Sequence, residues 1–145
     1  EKVFDLMDET GYPGMKVLQF AFDSGNTNFY LPHRYKKNCV VYTGTHDNDT
    51  TTGWYATASE KARDKVRRYM NTDASQVSWD FIRTCFGSPA RFAIIPVQDL
   101  FCQGSDCRMN TPGKAEGNWT YRVKKELLTS DVAKRLYDVT KLYGR

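Results

Sequence analysis

The chain has 145 residues, of which 40% are hydrophobic and 14% aromatic, and it carries a net charge of +4. These values are typical of a globular protein and exclude the disordered, collagen-like and membrane-spanning classes. The length suits one domain and is too short for a complete eight-fold α/β barrel, which needs about 250 residues.

The charge distribution and the cysteine pattern argue against a nucleic-acid-binding protein, a disulfide-rich protein and a membrane protein. The basic residues of the second half, such as Lys61, Arg67 and Lys134, are mixed with acidic residues in helix-like stretches. This mixture favours a solvated helix face, so we expect no nucleic-acid partner. The four cysteines form no Cys-x-x-Cys pair, and no apolar run approaches 18 residues. We therefore expect reduced thiols, a cytoplasmic location and no membrane partner.

The start of the chain predicts one helix followed by two strands. Residues 1–10 place several apolar side chains on one helical stripe, which Gly11 ends. Large apolar residues then fill residues 15–22, which suits a mostly buried strand. Residues 40–43 repeat this pattern, and Gly44 closes it.

The middle of the chain predicts two helices. Thr57 and Glu60 have the spacing of a capping box, apolar residues then recur at helical spacing as far as Tyr69, and Asn71 ends the pattern. A second, short helix fits residues 77–85, since a glycine and a proline follow soon after.

The last third predicts a strand, a long loop and a helix. Residues 92–97 form the third apolar run, although Pro96 restricts it to a strand end. Residues 98–119 have no clear period, and loops of that length in compact domains are usually functional or disordered. Ser130 as N-cap and Gly144 beyond the last apolar position bound the final helix.

This order of elements favours an α/β fold with buried parallel strands. Acidic or polar residues follow each predicted strand: Asp23 after the first, residues 46–49 after the second and Asp99 after the third. Because ligands bind at the carboxyl ends of strands in α/β folds, these positions predict one site, although solvated turn aspartates are an equal alternative for Asp23 and Asp99.

The segment Gly44–Thr50 holds an imidazole, two carboxylates and an amide at a strand end. Asp47 and Asp49 could bind a divalent ion that bridges a diphosphate, as in a metal-dependent glycosyltransferase. Alternatively, the carboxylates could act on a glycosidic bond, with aromatic residues such as Trp54 and Trp119 as apolar faces for a sugar. No glycine-rich phosphate loop supports the first hypothesis.

Motifs along almost the whole chain resemble those of one known family. They are Gly14-Met15-Lys16-Val17-Leu18-Gln19-Phe20-Ala21-Phe22, Leu31-Pro32-His33, Val41-Tyr42-Thr43-Gly44-Thr45-His46-Asp47-Asn48-Asp49-Thr50-Thr51, Gly53-Trp54, Met109-Asn110-Thr111-Pro112-Gly113 and Gly117-Asn118-Trp119. In this order they look like motifs of amylomaltases, the 4-alpha-glucanotransferases of glycoside hydrolase family 77. The resemblance implies a retaining enzyme on a (β/α)8 TIM-type barrel that breaks an α-1,4 bond and passes the glucan to another sugar's 4-hydroxyl.

The same resemblance implies roles for four residues and requires neither a metal nor another cofactor. Asp47 matches the family's catalytic aspartate that stabilises the transition state. His46 and Asn110 match residues that contact the substrate, and Phe20, on the predicted first strand, matches an aromatic residue near the active site. The family's nucleophilic aspartate and its acid/base glutamate lie on earlier strands, upstream of Glu1.

We therefore expect residues 1–145 to form the C-terminal portion, about three strand units, of such a barrel, with no internal domain boundary. The expected partners are α-1,4-glucans and the N-terminal part of the same catalytic domain, and the isolated chain is expected to self-associate through its open sheet edges. It is also expected to be inactive, because double displacement needs both missing carboxylates. The alternative hypothesis is a non-catalytic glucan-binding or interaction module.

Overall fold

The fold is built on a three-stranded parallel sheet in the computed structural model, which describes residues 2–145. Its strands lie in the order β1 (Gly14–Val17), β2 (Cys39–Tyr42) and β3 (Phe92–Ile94). The helices are α1 (Lys2–Thr10), α2 (Thr51–Thr57), α3 (Glu60–Met70), α4 (Val77–Phe86), α5 (Val97–Leu100) and α6 (Ser130–Leu142). The predicted α/β class and the parallel arrangement are confirmed, and Glu1, the first residue of the predicted first helix, lies outside the described residues.

One face of the sheet packs on the helices and forms the core. Cys39 and Val41 of β2 are almost fully buried there, together with Phe81 and Ile82 of α4. The ring of Phe22, which follows β1, lies 5.6 Å from the ring of Phe81, measured between centroids. The core therefore lies between the central strand and α4.

The other face of the sheet exposes apolar side chains. Met15 is paired with Val40, and Val40 with Phe92, so these three side chains share that face. Ile94 lies two residues beyond Phe92 on the same face. Met15, Phe92 and Ile94 are 58%, 54% and 48% exposed. The prediction of buried strands is thus correct for β2 and wrong for much of β1 and β3.

Two strands are shorter than their apolar runs predicted. β1 ends at Val17, and Leu18–Ala21 form a 3-10 turn instead of continuing the strand. This turn is itself largely buried, so its apolar residues resemble a strand in sequence. β3 ends at Ile94, because Pro96 precedes α5 and cannot donate to a strand ladder.

The start of α3 differs from the predicted capping box. The hydroxyl of Ser59 accepts the Ala62 N–H over 3.2 Å and caps the helix. Thr57 instead ends α2, a helix that the periodicity did not predict, and its hydroxyl donates to the Gly53 carbonyl. Asn71 ends α3 as predicted, with a left-handed φ of 52°.

The C-terminal half largely follows its predictions. α4 spans Val77–Phe86, and α6 begins one residue after its N-cap, which is Thr129 and not Ser130. The long loop of residues 98–119 is mostly irregular but includes part of α5 and one 3-10 turn, Ser105–Cys107. All four cysteines are free thiols. None of the helices within residues 2–145 has the length and apolar character needed to cross a membrane.

Candidate active site

The loop Gly44–Thr50 joins the carboxyl end of β2 to the start of α2. Within it, the Asn48 side-chain oxygen accepts the N–H of Thr45 over 2.9 Å and the Thr45 hydroxyl over 2.8 Å. This closed turn leaves the side chains of His46 and Asp47 about half exposed. The loop therefore exposes an imidazole and a carboxylate to solvent, while the Asn48 side chain holds its backbone in place.

The segment that follows the Ser105–Cys107 turn holds Asp47 in place. Asn110 Nδ2 donates to Asp47 Oδ1 over 2.6 Å, and the Asn110 N–H donates to the carbonyl of His46 over 3.1 Å. Arg108 donates from Nη2 to the Asp47 carbonyl over 2.6 Å and from Nε to the Asn110 carbonyl over 2.8 Å. The structure thus brings together three of the four predicted site residues, and Arg108 is a member that the sequence analysis missed.

An aromatic ring lies beside this carboxylate. Trp119 stacks on His46 with ring centroids 5.1 Å apart and an angle of 39° between the planes. Its backbone has a left-handed φ of 60°, and its N–H donates to the Met109 carbonyl over 2.8 Å. Because Trp119 remains 55% exposed, it offers an apolar face next to Asp47.

Phe20 lies elsewhere in the fold than its predicted position on the strand. It belongs to the 3-10 turn after β1, and its ring is 43% exposed. Its ring meets that of Tyr30 edge-on, with centroids 5.4 Å apart. Phe20 is not among the described residues that line the cavity next to His46. The prediction that Phe20 lies on β1 is therefore wrong, while its role stays untested.

Asp99 of α5 is a buried carboxylate behind the loop, only 1% exposed. Its Oδ2 accepts the hydroxyls of Thr43, at 2.5 Å, and Thr51, at 2.8 Å, and its Oδ1 accepts the Thr51 N–H at 2.8 Å. Burial raises the pKa of Asp99 above its ordinary value, and the donors on Thr43 and Thr51 partly oppose this shift. Of the two alternatives that the sequence left open for Asp99, the solvated turn residue is wrong.

Gln19 supports the loop from the 3-10 turn that follows β1. It is 1% exposed, and its Nε2 donates to the Asp49 carbonyl over 2.9 Å. A Cβ at Gly44 would lie 2.6 Å from that Nε2, so a larger residue at position 44 would displace the Gln19 amide from its contact with Asp49. Gln19 lies within the apolar run of residues 15–22 that predicts a strand, and that pattern does not predict this polar contact.

Asp49 is engaged separately from Asp47. Its Oδ2 accepts the Ser105 hydroxyl over 2.6 Å, and its Oδ1 accepts the Thr50 N–H over 2.8 Å. Within residues 2–145, no group of three or more His, Cys, Asp or Glu side chains is arranged to hold a metal ion. The two carboxylates of the loop thus serve different protein donors.

Two cavities differ in their relation to the site. A cavity of about 230 Å³ is lined by His46, Trp119, Met109 and Asp99, and neither Asp47 nor Asn110 is among the described residues that line it. A larger one, of about 540 Å³, is lined by helix residues such as Tyr69 and holds none of the four predicted site residues. We place the candidate site at the smaller cavity, because His46 and Arg108, which both contact Asp47, line it.

Comparison with known proteins finds a family and close relatives. The model of the glycoside hydrolase 77 family, described as 4-alpha-glucanotransferase, matches residues 1–129. A 4-alpha-glucanotransferase of Synechocystis sp. is 49% identical over 142 residues, 97% of this chain and 28% of the relative. One from Thermus thermophilus is 45% identical over 139 residues, 90% of this chain and 28% of the relative.

Among solved structures, an amylomaltase from Streptococcus agalactiae in complex with acarbose matches 100% of this chain and 30% of its own. The TM-score is 0.95 and the sequence identity is 33%. The chain spans 25–30% of the length of the curated relatives that it matches.

Proposed function

The chain belongs to the 4-alpha-glucanotransferase family of glycoside hydrolases, and we propose that it carries part of the active site of an enzyme that transfers α-1,4-glucan segments to the 4-hydroxyl of glucose or another glucan. One observation carries this proposal: Asp47, at the carboxyl end of β2, is half exposed yet fixed by Asn110 and Arg108. The solved relative in complex with acarbose, a carbohydrate, supports glucans as the ligand class.

The proposed reaction is a retaining double displacement. A carboxylate nucleophile attacks the anomeric carbon while a carboxylic acid protonates the departing 4-oxygen, so the glycosidic bond breaks and a glycosyl-enzyme ester forms. The acceptor's 4-hydroxyl then gives its proton to the same acid/base group and attacks the anomeric carbon, which releases the nucleophile. Asp47 stabilises the positive charge that develops on the sugar in both steps.

His46, Asn110 and Phe20 are the proposed substrate contacts. The His46 ring and the Asn110 amide lie beside the Asp47 carboxylate, where they can bond to sugar hydroxyls. Trp119, stacked on His46, adds an apolar face to that group. The Phe20 ring is exposed enough to contact a sugar farther along the glucan.

The nucleophile and the acid/base group are proposed to come from outside residues 1–145. Of the carboxylates near the loop, Asp49 accepts two protein donors and Asp99 is buried, so neither is available to attack a sugar.

We propose that the chain forms the last three strand units of a (β/α)8 barrel and has no internal domain boundary. The exposed apolar face of the sheet, with Met15, Phe92 and Ile94, supports this, since partner strands of a barrel would cover it. The free thiols support a cytoplasmic location.

The test uses the product of the complete reading frame with maltotriose as both donor and acceptor. We expect glucose and longer maltooligosaccharides to appear, and an Asp47→Asn variant to lower kcat by about 10²–10³-fold, as loss of one electrostatic contact to a transition state does. Asp131→Asn, in the first turn of α6, is the matched control. An Asp47→Asn enzyme with the wild-type rate would contradict the proposed role, and glucan binding without transfer would favour the binding-module alternative.

The isolated chain tests the assignment of the missing groups. Residues 1–145 alone should release no glucose from maltotriose, and in ultracentrifugation they should self-associate through the open sheet edges and the exposed apolar face. Glucose release by the purified chain would show that it holds a complete catalytic set. Sedimentation as a single monomeric species would count against the proposed open sheet edges.

A further inference from the structure

We propose that Asp99 is a positioning residue for the candidate site: it ties the two ends of the Gly44–Thr50 loop together and so holds Asp47 against Asn110. Asp99 acts through Thr43 and Thr51 and not through contact with a sugar. The activity test below rests on the proposed function, and a second measurement does not.

The geometry of one carboxylate fixes the span of the loop. Thr43 directly follows β2, Thr51 begins α2, and the seven loop residues lie between them. Asp99 Oδ2 accepts both threonine hydroxyls, while Oδ1 accepts the Thr51 N–H. Because all three donors bond to one rigid, planar group, the strand end and the helix start cannot shift apart without breaking a buried hydrogen bond.

Burial makes these bonds costly to break. Thr43 and Thr51 are fully buried, and Asp99 is 1% exposed, so water cannot replace a lost partner. Within residues 2–145, no Lys, Arg or His forms an ion pair with Asp99. A buried carboxylate without a counter-ion is a poor source of net stability, because its desolvation offsets its hydrogen bonds. Its placement at the junction of loop, strand and helix indicates a role in geometry.

The short helix α5 also contacts the segment that carries Arg108 and Asn110. Gln98 lies next to Asp99 in α5, and its Nε2 donates to the Cys107 carbonyl over 3.3 Å. The backbone carbonyl of Gln98 accepts the Gln103 N–H over 3.0 Å. Cys107 directly precedes Arg108. The Asp99 side chain thus contacts both ends of the loop that holds Asp47, and the Gln98 side chain contacts the segment that holds Asn110. In this way α5 is connected to both partners of the hydrogen bond between Asp47 and Asn110.

The test compares Asp99→Ala with Asp99→Asn in the product of the complete reading frame. Asp99→Ala should lower kcat by about 10²-fold, the effect of misplacing a catalytic group by about 1 Å, and change KM by less than about threefold. Asparagine keeps one oxygen for the Thr51 N–H and an amide that can donate to both hydroxyls, so Asp99→Asn should stay within about tenfold of the wild-type kcat. A purely stabilising role would lower the melting temperature and leave kcat per folded molecule unchanged.

Each outcome bears on the proposal. Wild-type kcat in a folded Asp99→Ala variant would overturn it, and equal losses in the alanine and asparagine variants would replace it with a role for the negative charge. If Asp99→Ala does not fold, Thr43→Val removes one of the three bonds without a cavity and should lower kcat by about tenfold; an unchanged kcat would again overturn the proposal.

Hydrogen exchange separates this proposal from the proposed function. If the wild-type product transfers no glucan, the proposed function fails, but the amides of residues 44–51 should still exchange at least about tenfold faster in Asp99→Ala than in wild type. The amides of α6 serve as the internal control. Unchanged exchange across residues 44–51 would overturn the positioning role whatever the activity.

Discussion

The Asn110 amide donates a 2.6 Å hydrogen bond to the Asp47 carboxylate, although 63 positions separate the two residues in the chain. One partner lies in the loop after β2 and the other in an irregular segment after β3, and Arg108 fastens the two backbones to each other. The candidate site thus exists only when both segments are in place. This dependence makes the contact between the segments the natural target for mutation.

Asn110→Ala should lower kcat for transfer from maltotriose by about 10–100-fold in the product of the complete reading frame. The variant removes the donor that orients the Asp47 carboxylate and leaves the carboxylate itself present, so its loss should be smaller than that of Asp47→Asn. Steady-state kinetics measure the effect. Asn26→Ala, in an exposed loop, is the control, and an Asn110→Ala enzyme as active as this control would refute the orienting role.

Lysine should not be able to replace Arg108. Its guanidinium reaches two carbonyls, those of Asp47 and Asn110, in a fork that the single ammonium of lysine does not reproduce. We expect Arg108→Lys and Arg108→Ala to lose activity alike, by about tenfold or more in kcat. Recovery of the wild-type rate in the lysine variant would show that positive charge, and not the two-carbonyl geometry, is what matters.

Trp119→Ala should weaken binding of the glucan more than it slows the reaction. The ring stacks on His46 and exposes its other face, and aromatic contacts of this kind contribute about 0.5–1.5 kcal/mol. The expected result is a rise in KM of about two- to tenfold with a smaller change in kcat, measured with maltotriose. Tyr137→Ala, an exposed aromatic residue on α6, should leave KM unchanged. A larger fall in kcat than rise in KM would instead point to a role in catalysis.

The sequence alone predicted the elements whose patterns are local. Apolar runs located the three strands, and the position of His46 and Asp47 just beyond one of them located the exposed part of the candidate site. The Asp99 and Gln19 contacts could not be predicted in this way, because each joins segments far apart in the chain. Asp99 bonds to residues 48 and 56 positions away, and no periodicity encodes such a distance.

Errors arose where two local signals competed. Thr57 and Glu60 have capping-box spacing, but Ser59 lies one residue before the helix and takes the cap, since Thr57 already belongs to α2. Phe20 lies in an apolar run typical of a strand, yet the chain turns after Val17. The apolar pattern continues into the buried 3-10 turn, so it does not show where the strand ends. Both errors fall where one element gives way to the next, and local patterns alone do not locate such boundaries.

The cap of α3 gives a stability test. Ser59→Ala removes the side-chain acceptor for the Ala62 N–H and should lower the free energy of unfolding by about 0.5–2 kcal/mol. Thr57→Ala removes only hydroxyl bonds to carbonyls within its own helix, so it should change that free energy by less than about 0.5 kcal/mol. Chemical denaturation measures both values. The reverse order would restore the capping box predicted from the sequence.

The raised pKa of Asp99 predicts how stability should depend on pH. Burial raises the pKa of this carboxyl in the folded protein, and the nearby Asp49 adds to the shift, while an unfolded aspartate titrates near pH 3.9. Between these two pKa values the folded state binds the proton that the unfolded state has released. The stability contributed by that proton is fully present below about pH 3.9 and is lost as the pH rises through the folded pKa.

Asp99→Asn isolates this contribution, since asparagine does not titrate and other groups are common to both proteins. We expect the free energy of unfolding of the wild type, minus that of Asp99→Asn, to fall as the pH rises from about 4 toward neutrality. Chemical denaturation of both proteins at several pH values measures this difference. A difference that stays constant would show that Asp99 has the same pKa folded and unfolded, and one that grows with pH would mean that the three donors on Thr43 and Thr51 outweigh its burial.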